Sequence, residues 1–295
     1  MIRIRIIAVA LVTAPLIAHA DTLLFVTNTN SGTIGEYTSS GSTVNASLVS
    51  GLVSPTGIAL SGSDLFVSNS NGGSIGEYTT SGAAVNPALI SGLQGPEEIA
   101  VSGSDIFVAN IETGTVGEYT TSGATVNASL ITGLTNVHGI TASGSGLYVI
   151  NNDNTVNEYT TSGTLVKAGL ITGLHAANGI TAAGSDLFIS ENSGINSGWI
   201  GEYTLAGTLV NSTLITGLDI PVGMTVSGSD IYVVNAGDGI VGEYTTSGAT
   251  VNSSLAGSYG SEEIAVSSVP LPAAVWLMMS GLSVIGALAR RRKTA

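Results

Sequence analysis

The 295-residue sequence contains no cysteine and very few basic residues. Without thiols it can form no disulfide, no thiolate metal ligand and no cysteine nucleophile. Of its seven lysines and arginines, only Lys167 lies between residues 21 and 268. This segment holds all 20 acidic residues, so its formal charge is −19. A surface of this charge repels phosphate backbones, which argues against nucleic-acid binding.

The same segment lacks the apolar periodicity of helices and two fingerprints of common enzymes. No sustained 3.6-residue pattern occurs outside the two termini, which excludes helical repeats. HExxH zinc motifs and phosphate-binding loops are absent from the sequence. Short runs rich in Val, Ile, Thr and aromatic residues, separated by Gly, Ser and Asp, predict an all-β fold instead.

A Glu-Tyr-Thr tripeptide recurs along the chain and sets its period. The tyrosines are spaced 41, 41, 40, 44 and 41 residues apart. They are Tyr37, Tyr78, Tyr119, Tyr159, Tyr203 and Tyr244. Each repeat contains four short candidate strands joined by tight-turn sequences. Four strands in roughly 40 residues is the size of one propeller blade, so the repeat predicts six four-stranded blades.

The first repeat is incomplete, and the missing part lies at the other end of the body. The repeat begins at Asp21 with its second strand, whereas a segment of the first-strand type occurs at residues 263–266. The C-terminal strand is therefore predicted to complete the first blade and to close a six-bladed β-propeller, which removes open sheet edges. One aromatic position recurs in every second strand, and it predicts packing between neighbouring blades.

The two ends of the chain differ from the body. Residues 1–20 have a basic start, an apolar run and a small-residue cleavage site, which predicts a secretory signal peptide with a helical apolar core. Residues 269–295 contain two prolines, about 20 mostly apolar residues and a basic cluster, which predicts a transmembrane helix whose end stays in the cytoplasm. The predicted division is thus 1–20, 21–268 and 269–295, with the propeller across the membrane.

The tail VPLPAAVWLMMSGLSVIGALARRRK resembles the PEP-CTERM class of bacterial sorting signals, in its VPLPA variant. The residues that carry this resemblance are Val269, Pro270, Leu271, Pro272, Arg290, Arg291 and Arg292. The commonest form has Glu at the position of Leu271. The alternative is an ordinary C-terminal membrane anchor.

The resemblance implies export to the periplasmic side of the inner membrane of a Gram-negative bacterium, where the C-terminal helix anchors the chain. It implies cleavage by a signal peptidase and an exosortase-type membrane protease, followed by transfer to the cell surface or extracellular matrix. Extracellular polysaccharide is then a candidate partner.

The body resembles, more loosely, six-bladed propellers of the NHL and gluconolactonase-like type. The resemblance lies in a Gly-Ile-Ala segment followed by a turn and an aromatic strand such as LFVSN or IYVVN. Gluconolactonase-like enzymes hold a divalent ion at one mouth of the channel, where it polarises a lactone carbonyl. This resemblance implies the same fold and a site at the same place.

Functional residues are expected where one repeat departs from the others. Glu98 and Glu263 stand where the other first strands carry glycine. Segments entering the first strand face the mouth of the channel, so their oxygen and nitrogen ligands are predicted to meet there around a hard cation such as Ca²⁺. The candidate metal ligands are Glu98, Glu263, His138 and Asn178. The alternative is a wet acidic mouth without a ligand.

Three further residues are candidates for ligand binding. Glu97 and Glu262 directly precede the two unusual glutamates. Trp199 is the body's only tryptophan and follows the insertion that lengthens one repeat. Its indole could stack on a sugar ring or pack against the next blade. Glu191 replaces a recurrent asparagine and is a possible member of the cluster, whereas the Glu-Tyr-Thr glutamates are predicted to face solvent.

Two functions follow from these features. The near-identity of the repeats favours an exported, non-enzymatic structural or ligand-binding module that recognises a glycan or a protein, or that only fills a matrix. The alternative is a metal-dependent lactonase-like hydrolase with its site at the channel mouth.

Overall fold

The computed structural model describes residues 22–257 and 260–268. These residues form 24 strands in six four-stranded sheets, and no helix occurs among them. Thr22–Ser267 is one compact unit. The predicted signal peptide, sorting tail and terminal helices lie outside the described residues. Within the described ranges, no helix is long and apolar enough to cross a membrane.

Each sheet is one blade whose four strands follow one another from the channel to the rim. The inner strands are β24 (Ser261–Ser268), β4 (Pro55–Ser61), β8 (Pro96–Ser102), β12 (Ile140–Ser143), β16 (Ile180–Ala183) and β20 (Pro221–Ser227). The second strands are β1 (Thr22–Asn28), β5 (Asp64–Asn69), β9 (Asp105–Asn110), β13 (Gly146–Asn151), β17 (Asp186–Asn192) and β21 (Asp230–Asn235).

The third strands carry the Glu-Tyr-Thr tripeptides, and the outer strands form the rim. The third strands are β2 (Thr33–Thr38), β6 (Ser74–Thr79), β10 (Thr115–Thr120), β14 (Thr155–Thr160), β18 (Gly198–Thr204) and β22 (Ile240–Thr245). The outer strands are β3 (Thr43–Ser50), β7 (Ala84–Ser91), β11 (Thr125–Ile131), β15 (Leu165–Ile171), β19 (Leu209–Leu218) and β23 (Thr250–Gly257).

The first blade combines the two ends of the body. Its strand order is β24-β1-β2-β3, which confirms that the C-terminal strand completes the blade begun at the N-terminal end. The Thr29 amide donates to the Gly260 carbonyl at 2.8 Å. The Glu263 amide donates to the Thr27 hydroxyl oxygen at 3.0 Å, a bond that spans 236 positions in the sequence.

The hydrophobic core consists of six clusters, one at each interface between neighbouring blades. The cluster between the sixth and first blades joins Tyr232 and Val234 of the sixth blade to Leu24, Val26 and Ile264 of the first. Because this last interface has a core like the others, the ring is closed by packing as well as by hydrogen bonds. The recurrent aromatic position is buried in every blade, as predicted; its residues are Phe25, Phe66, Phe107, Tyr148, Phe188 and Tyr232.

A second contact closes the ring at the rim. In each outer strand a leucine carbonyl lies against a turn glycine of the following blade. A Cβ at Gly41, whose φ is 85°, would lie 2.5 Å from the Leu255 carbonyl oxygen, and one at Gly82 would lie 2.6 Å from that of Leu48. Only glycine permits both this φ and this approach. The sixth blade therefore meets the first as the first meets the second.

The prediction that the Glu-Tyr-Thr glutamates face solvent was wrong for two of the six, and the other four are only partly exposed. Glu36 and Glu243 are each only 8% exposed. Glu36 lies opposite Phe25 in the ladder, and the next blade covers this part of the sheet. Burial raises the pKa of both carboxyl groups. The Glu243 carboxylate is stabilised by the Tyr232 hydroxyl, which donates to it at 3.1 Å.

Ring closure can be tested by comparing two equivalent isoleucines. Ile264 of β24 and Ile99 of β8 are 2% and 4% exposed. In a closed ring both Ile264→Ala and Ile99→Ala leave a cavity in an interface core, and each should lower the free energy of unfolding by about 2–5 kcal/mol. Denaturant unfolding measures both.

A matched control is Val251→Ala, since Val251 is 54% exposed and the change should stay within about 0.5 kcal/mol. A loss for Ile264→Ala as small as the control, beside a large loss for Ile99→Ala, would contradict closure through β24.

Candidate functional site

β-Bulges turn pairs of residues towards the mouth of the channel. In β8, Pro96 pairs with Asn110 and Ile99 pairs with Val108, so Glu97 and Glu98 together face a single residue of β9. The bulged pairs at Thr56–Gly57 in β4 and Val222–Gly223 in β20 arise in the same way. A bulge re-aims side chains that a regular ladder would alternate between faces.

Glycine at the second of these positions permits neighbouring blades to approach closely. A Cβ at Gly57 would lie 2.3 Å from the Glu97 carbonyl oxygen, and one at Gly223 would lie 2.5 Å from that of Glu262. These glycines are therefore required by backbone packing. Glu98 and Glu263 are the two exceptions, and Gly57 lies between them in the order of blades.

The residues at these positions line one pocket of about 210 Å³, here called the mouth pocket. Its lining residues are Thr56, Glu97, Glu98, His138, Asn178, Gly179, Val222, Gly223, Glu262 and Glu263. The structure thus brings together six of the seven candidate residues named from the sequence. Their roles as ligands stay predictions.

Glu98 and Glu263 form a carboxyl pair at the floor of the mouth pocket. Their side chains are hydrogen-bonded to each other, and Glu263 is 7% exposed. The Ile264 amide donates to Glu263 Oε1 at 3.0 Å. Because two carboxylates have no proton to donate, this contact requires a proton shared by the pair.

Burial is the main reason that this pair retains its proton. Burial and the nearby Glu263 carboxyl raise the pKa of Glu98 well above its usual range. Burial raises the pKa of Glu263 to about 8, against the opposing effect of the Ile264 amide. The two groups titrate as a pair, and the pair holds a proton at neutral pH.

The carboxyl pair also separates two cavities. A central channel cavity of about 380 Å³ is lined by residues from all six inner strands, mostly aliphatic side chains with a few threonines. Glu98 and Glu263 line both this cavity and the mouth pocket. The pair therefore lies at the neck between the mouth pocket and the channel.

The remaining titratable groups of the mouth pocket are also perturbed by burial. Burial, with the negative charge of Glu262, raises the pKa of Glu97 to about 7. Its Oε2 atom is buried and has no hydrogen-bond partner among the described residues. Burial lowers the pKa of His138, so its ring is neutral at pH 7. His138 Nε2 lies 2.9 Å from Asn136 Nδ2 and accepts a hydrogen bond from it.

The donor atoms of the pocket do not fit a divalent ion as they are arranged. Among residues 22–257 and 260–268, no group of three or more His, Cys, Asp or Glu side chains is placed to hold a metal. The oxygens of Glu98 and Glu263 are used by each other and by backbone amides, and His138 Nε2 is used by Asn136. A divalent ion would have to displace the shared proton and these bonds.

Trp199 and Glu191 lie outside the mouth pocket. Trp199 is a partly buried residue of β18. Its ring and the His175 ring are in an edge-on contact, with centroids 5.6 Å apart. Glu191 is 3% exposed and accepts the His175 amide at 2.9 Å. In the second blade Asn69 accepts the Val53 amide in the same way, at 3.1 Å. Glu191 therefore replaces asparagine in a turn and does not join the mouth cluster.

Sequence reasoning missed three hydroxyl groups that position the mouth. Ser68 Oγ accepts the Gly57 amide at 2.7 Å and donates to the Glu97 carbonyl at 2.6 Å. Thr27 and Ser190 link their inner strands to the next blade in the same way. The sequence feature that could have revealed these hydroxyl groups is the polar residue itself. It occupies a position in the second strand at which the other three blades carry the apolar residues Ala109, Ile150 and Val234.

No protein-family model matches this chain, and no curated protein matches it. Several solved structures do match this chain in fold. A chain in a nidogen/laminin complex matches at 18% identity and a TM-score of 0.71, over 84% of this chain and 98% of that chain. A gluconolactonase from Xanthomonas campestris matches at 14% identity and a TM-score of 0.61, over 72% and 79%.

A further match is a catalytically inactive virginiamycin B lyase from Staphylococcus aureus, solved with quinupristin. It is 23% identical, with a TM-score of 0.52, over 71% of this chain and 72% of that chain. At these identities the matches establish the fold and no more. The chain is a six-bladed β-propeller with gluconolactonase-like structural neighbours.

Proposed function

We propose that this protein is an exported, non-enzymatic β-propeller that binds a ligand in the mouth pocket. One observation carries the proposal. The blades are nearly uniform, yet their departures from uniformity collect four carboxyl groups, an imidazole and an amide in one concave site. Departures from a repeat that converge in space are typical of a binding site, because packing alone would favour the repeated residue.

The chemistry of the pocket supports binding better than hydrolysis. The two carboxyl groups of the pair share a proton, hydrogen-bond to each other and accept hydrogen bonds from backbone amides. His138 Nε2 is occupied by Asn136. The Thr56 hydroxyl donates to the Glu97 carbonyl at 3.1 Å. The pocket therefore lacks a hydroxyl nucleophile paired with a base, which hydrolysis through a covalent acyl-enzyme requires.

The same groups suit a ligand that presents hydrogen-bond donors. Glu97 offers a buried acceptor oxygen without a partner, and Glu262 adds a second carboxylate beside it. Sugar hydroxyls and the amines or amides of a protein ligand have the required donors. The structural neighbours include both a chain of a protein complex and a gluconolactonase, so the fold is compatible with either ligand.

The proposed site of action is the cell surface or extracellular matrix. The signal-like residues 1–20 and the PEP-CTERM-like residues 269–295 support export and processing by a signal peptidase and an exosortase-type protease. The formal charge of −19 between residues 21 and 268 suits an exposed, soluble surface. N-terminal sequencing of the protein recovered from its cells tests export, with a mature start at Asp21 expected.

Ligand binding can be tested with glycan and peptide arrays probed by the full chain and its variants. We expect Glu97→Gln and Glu262→Gln each to weaken binding by at least about tenfold, because each removes a carboxylate acceptor whose hydrogen bond is worth about 1.5–3 kcal/mol when the group is ionised. Glu112→Gln is the matched control, since Glu112 is exposed and lies outside the pocket. Binding that survives both pocket variants would place the ligand elsewhere.

The hydrolase alternative can be tested through metal content. Glu98, Glu263, His138 and Asn178 do share a pocket, but the carboxyl oxygens of Glu98 and Glu263 and the Nε2 atom of His138 already have hydrogen-bond partners. We expect the purified chain to contain no stoichiometric Ca²⁺ by elemental analysis and to leave lactones intact. Stoichiometric metal, with lactone turnover lost in both Glu98→Ala and Glu263→Ala and retained in Glu112→Ala, would establish the hydrolase instead.

The shared proton predicts a stability that falls as pH rises. The pKa values of Glu98 and Glu263 are raised in the folded state, so between about pH 4.5 and 8 the folded chain binds more protons than the unfolded chain. The free energy of unfolding should decrease through this range, by about 1.4 kcal/mol per unit of pKa difference. Thermal unfolding at several pH values measures this.

Other buried glutamates contribute to the same slope, so the comparison must be made with a variant. Glu98→Gln/Glu263→Gln removes both titrating groups while keeping their volume, and its stability should depend less on pH than that of the natural chain. Equal slopes would show that the pair does not hold the extra proton.

A further inference from the structure

The outer strands form a rim with a composition of its own. None of the 20 acidic residues lies in an outer strand, and Lys167 is the only charged residue there. The first residues of each outer strand are exposed, before the leucine that packs on the next blade. The rim is therefore accessible and carries no acidic residue, unlike the rest of the body.

Four of the six outer strands carry the pattern Asn-X-Ser/Thr at the same place. The asparagines are Asn45, Asn127, Asn211 and Asn252, and the pattern occurs nowhere else in the 295 residues. The other two blades lack it: one has Asn86-Pro87-Ala88 and the other has Lys167. Duplication of the repeat explains why the pattern recurs. It does not decide whether the side chains can react.

The structure places these asparagines in a reactive arrangement. In each, Oδ1 accepts the backbone amide of the Ser or Thr two residues later; the distances are 3.1 Å for Asn45, 3.1 Å for Asn127, 3.1 Å for Asn211 and 3.0 Å for Asn252. This turn holds the amide oxygen towards the chain and leaves Nδ2 on the exposed surface. Within the described part of the chain, Nδ2 of these residues donates to no acceptor.

We propose that these four asparagines are acceptors for N-linked sugar. In the reaction, a glycosyltransferase supplies a sugar activated by a diphosphate group. The bond from the sugar C1 to the diphosphate oxygen breaks, the C1–Nδ2 bond forms, the diphosphate leaves and one amide proton passes to a base of the transferase. The proposal does not depend on the mouth pocket.

The test is mass spectrometry of the full-length gene product isolated from the cells that make it, followed by peptide mapping. We expect sugar on the peptides containing Asn45, Asn127, Asn211 and Asn252. Asn86 is an internal control, because it is exposed and its Oδ1 accepts the Ala88 amide at 3.3 Å, yet proline and alanine replace the two following residues. Its peptide should carry no sugar.

A pair of variants separates the acceptor pattern from simple exposure. Ser129→Ala should abolish modification at Asn127 and leave the other three sites modified, whereas Ser129→Thr should retain all four. Ser129 is exposed, so thermal unfolding of both variants should match that of the natural chain. Absence of sugar from all four peptides, sugar on Asn86, or persistence at Asn127 in Ser129→Ala would each overturn the proposal.

Discussion

The pairing of β24 with β1 is the constraint on which the remaining structure depends. Residues near the two ends of the propeller meet in one sheet, and a hydroxyl at Thr27 fixes the register by accepting the Glu263 amide and donating to the Thr56 carbonyl. Without this pairing the first blade would lack its inner strand, and two sheet edges would be open. The same pairing brings Glu263 to the level of Glu98, with only Gly57 between them in the order of blades. The site and the closure are therefore one feature of the fold.

The carboxyl pair shows how a uniform ring accommodates a departure from its repeat. Burying two carboxylates side by side would be costly, because each loses hydration and repels the other. Sharing a proton removes one charge and supplies a hydrogen bond, while the Ile264 amide stabilises the charge that remains. The pair still opposes stability as pH rises. Glycine at this position would avoid that cost, as in the second blade, so the glutamates suit a role in the pocket better than a role in packing.

Much of the fold follows from the sequence, and part of the site does too. The period of the Glu-Tyr-Thr tripeptide and the displaced first strand predict six blades and their closure, because both depend only on order along the chain. Convergence at the mouth follows from the same order. The burial of individual side chains does not follow from the order of residues. Glu36, for example, is covered by a neighbouring blade, and no local pattern reveals this. Nor does the sequence show that Glu191 accepts the His175 amide, or that Glu98 and Glu263 share a proton, since both depend on distances between segments.

Hydrogen exchange of the inner strands tests the closed ring most directly. The amides of residues 262–266 in β24 should exchange as slowly as those of residues 97–101 in β8, because both segments pair with a second strand and open only when the whole ring unfolds. Fast exchange in β24 beside slow exchange in β8 would show that the first blade is not held by the C-terminal strand. The mouth pocket and its carboxyl pair would then lose the geometry on which their function depends.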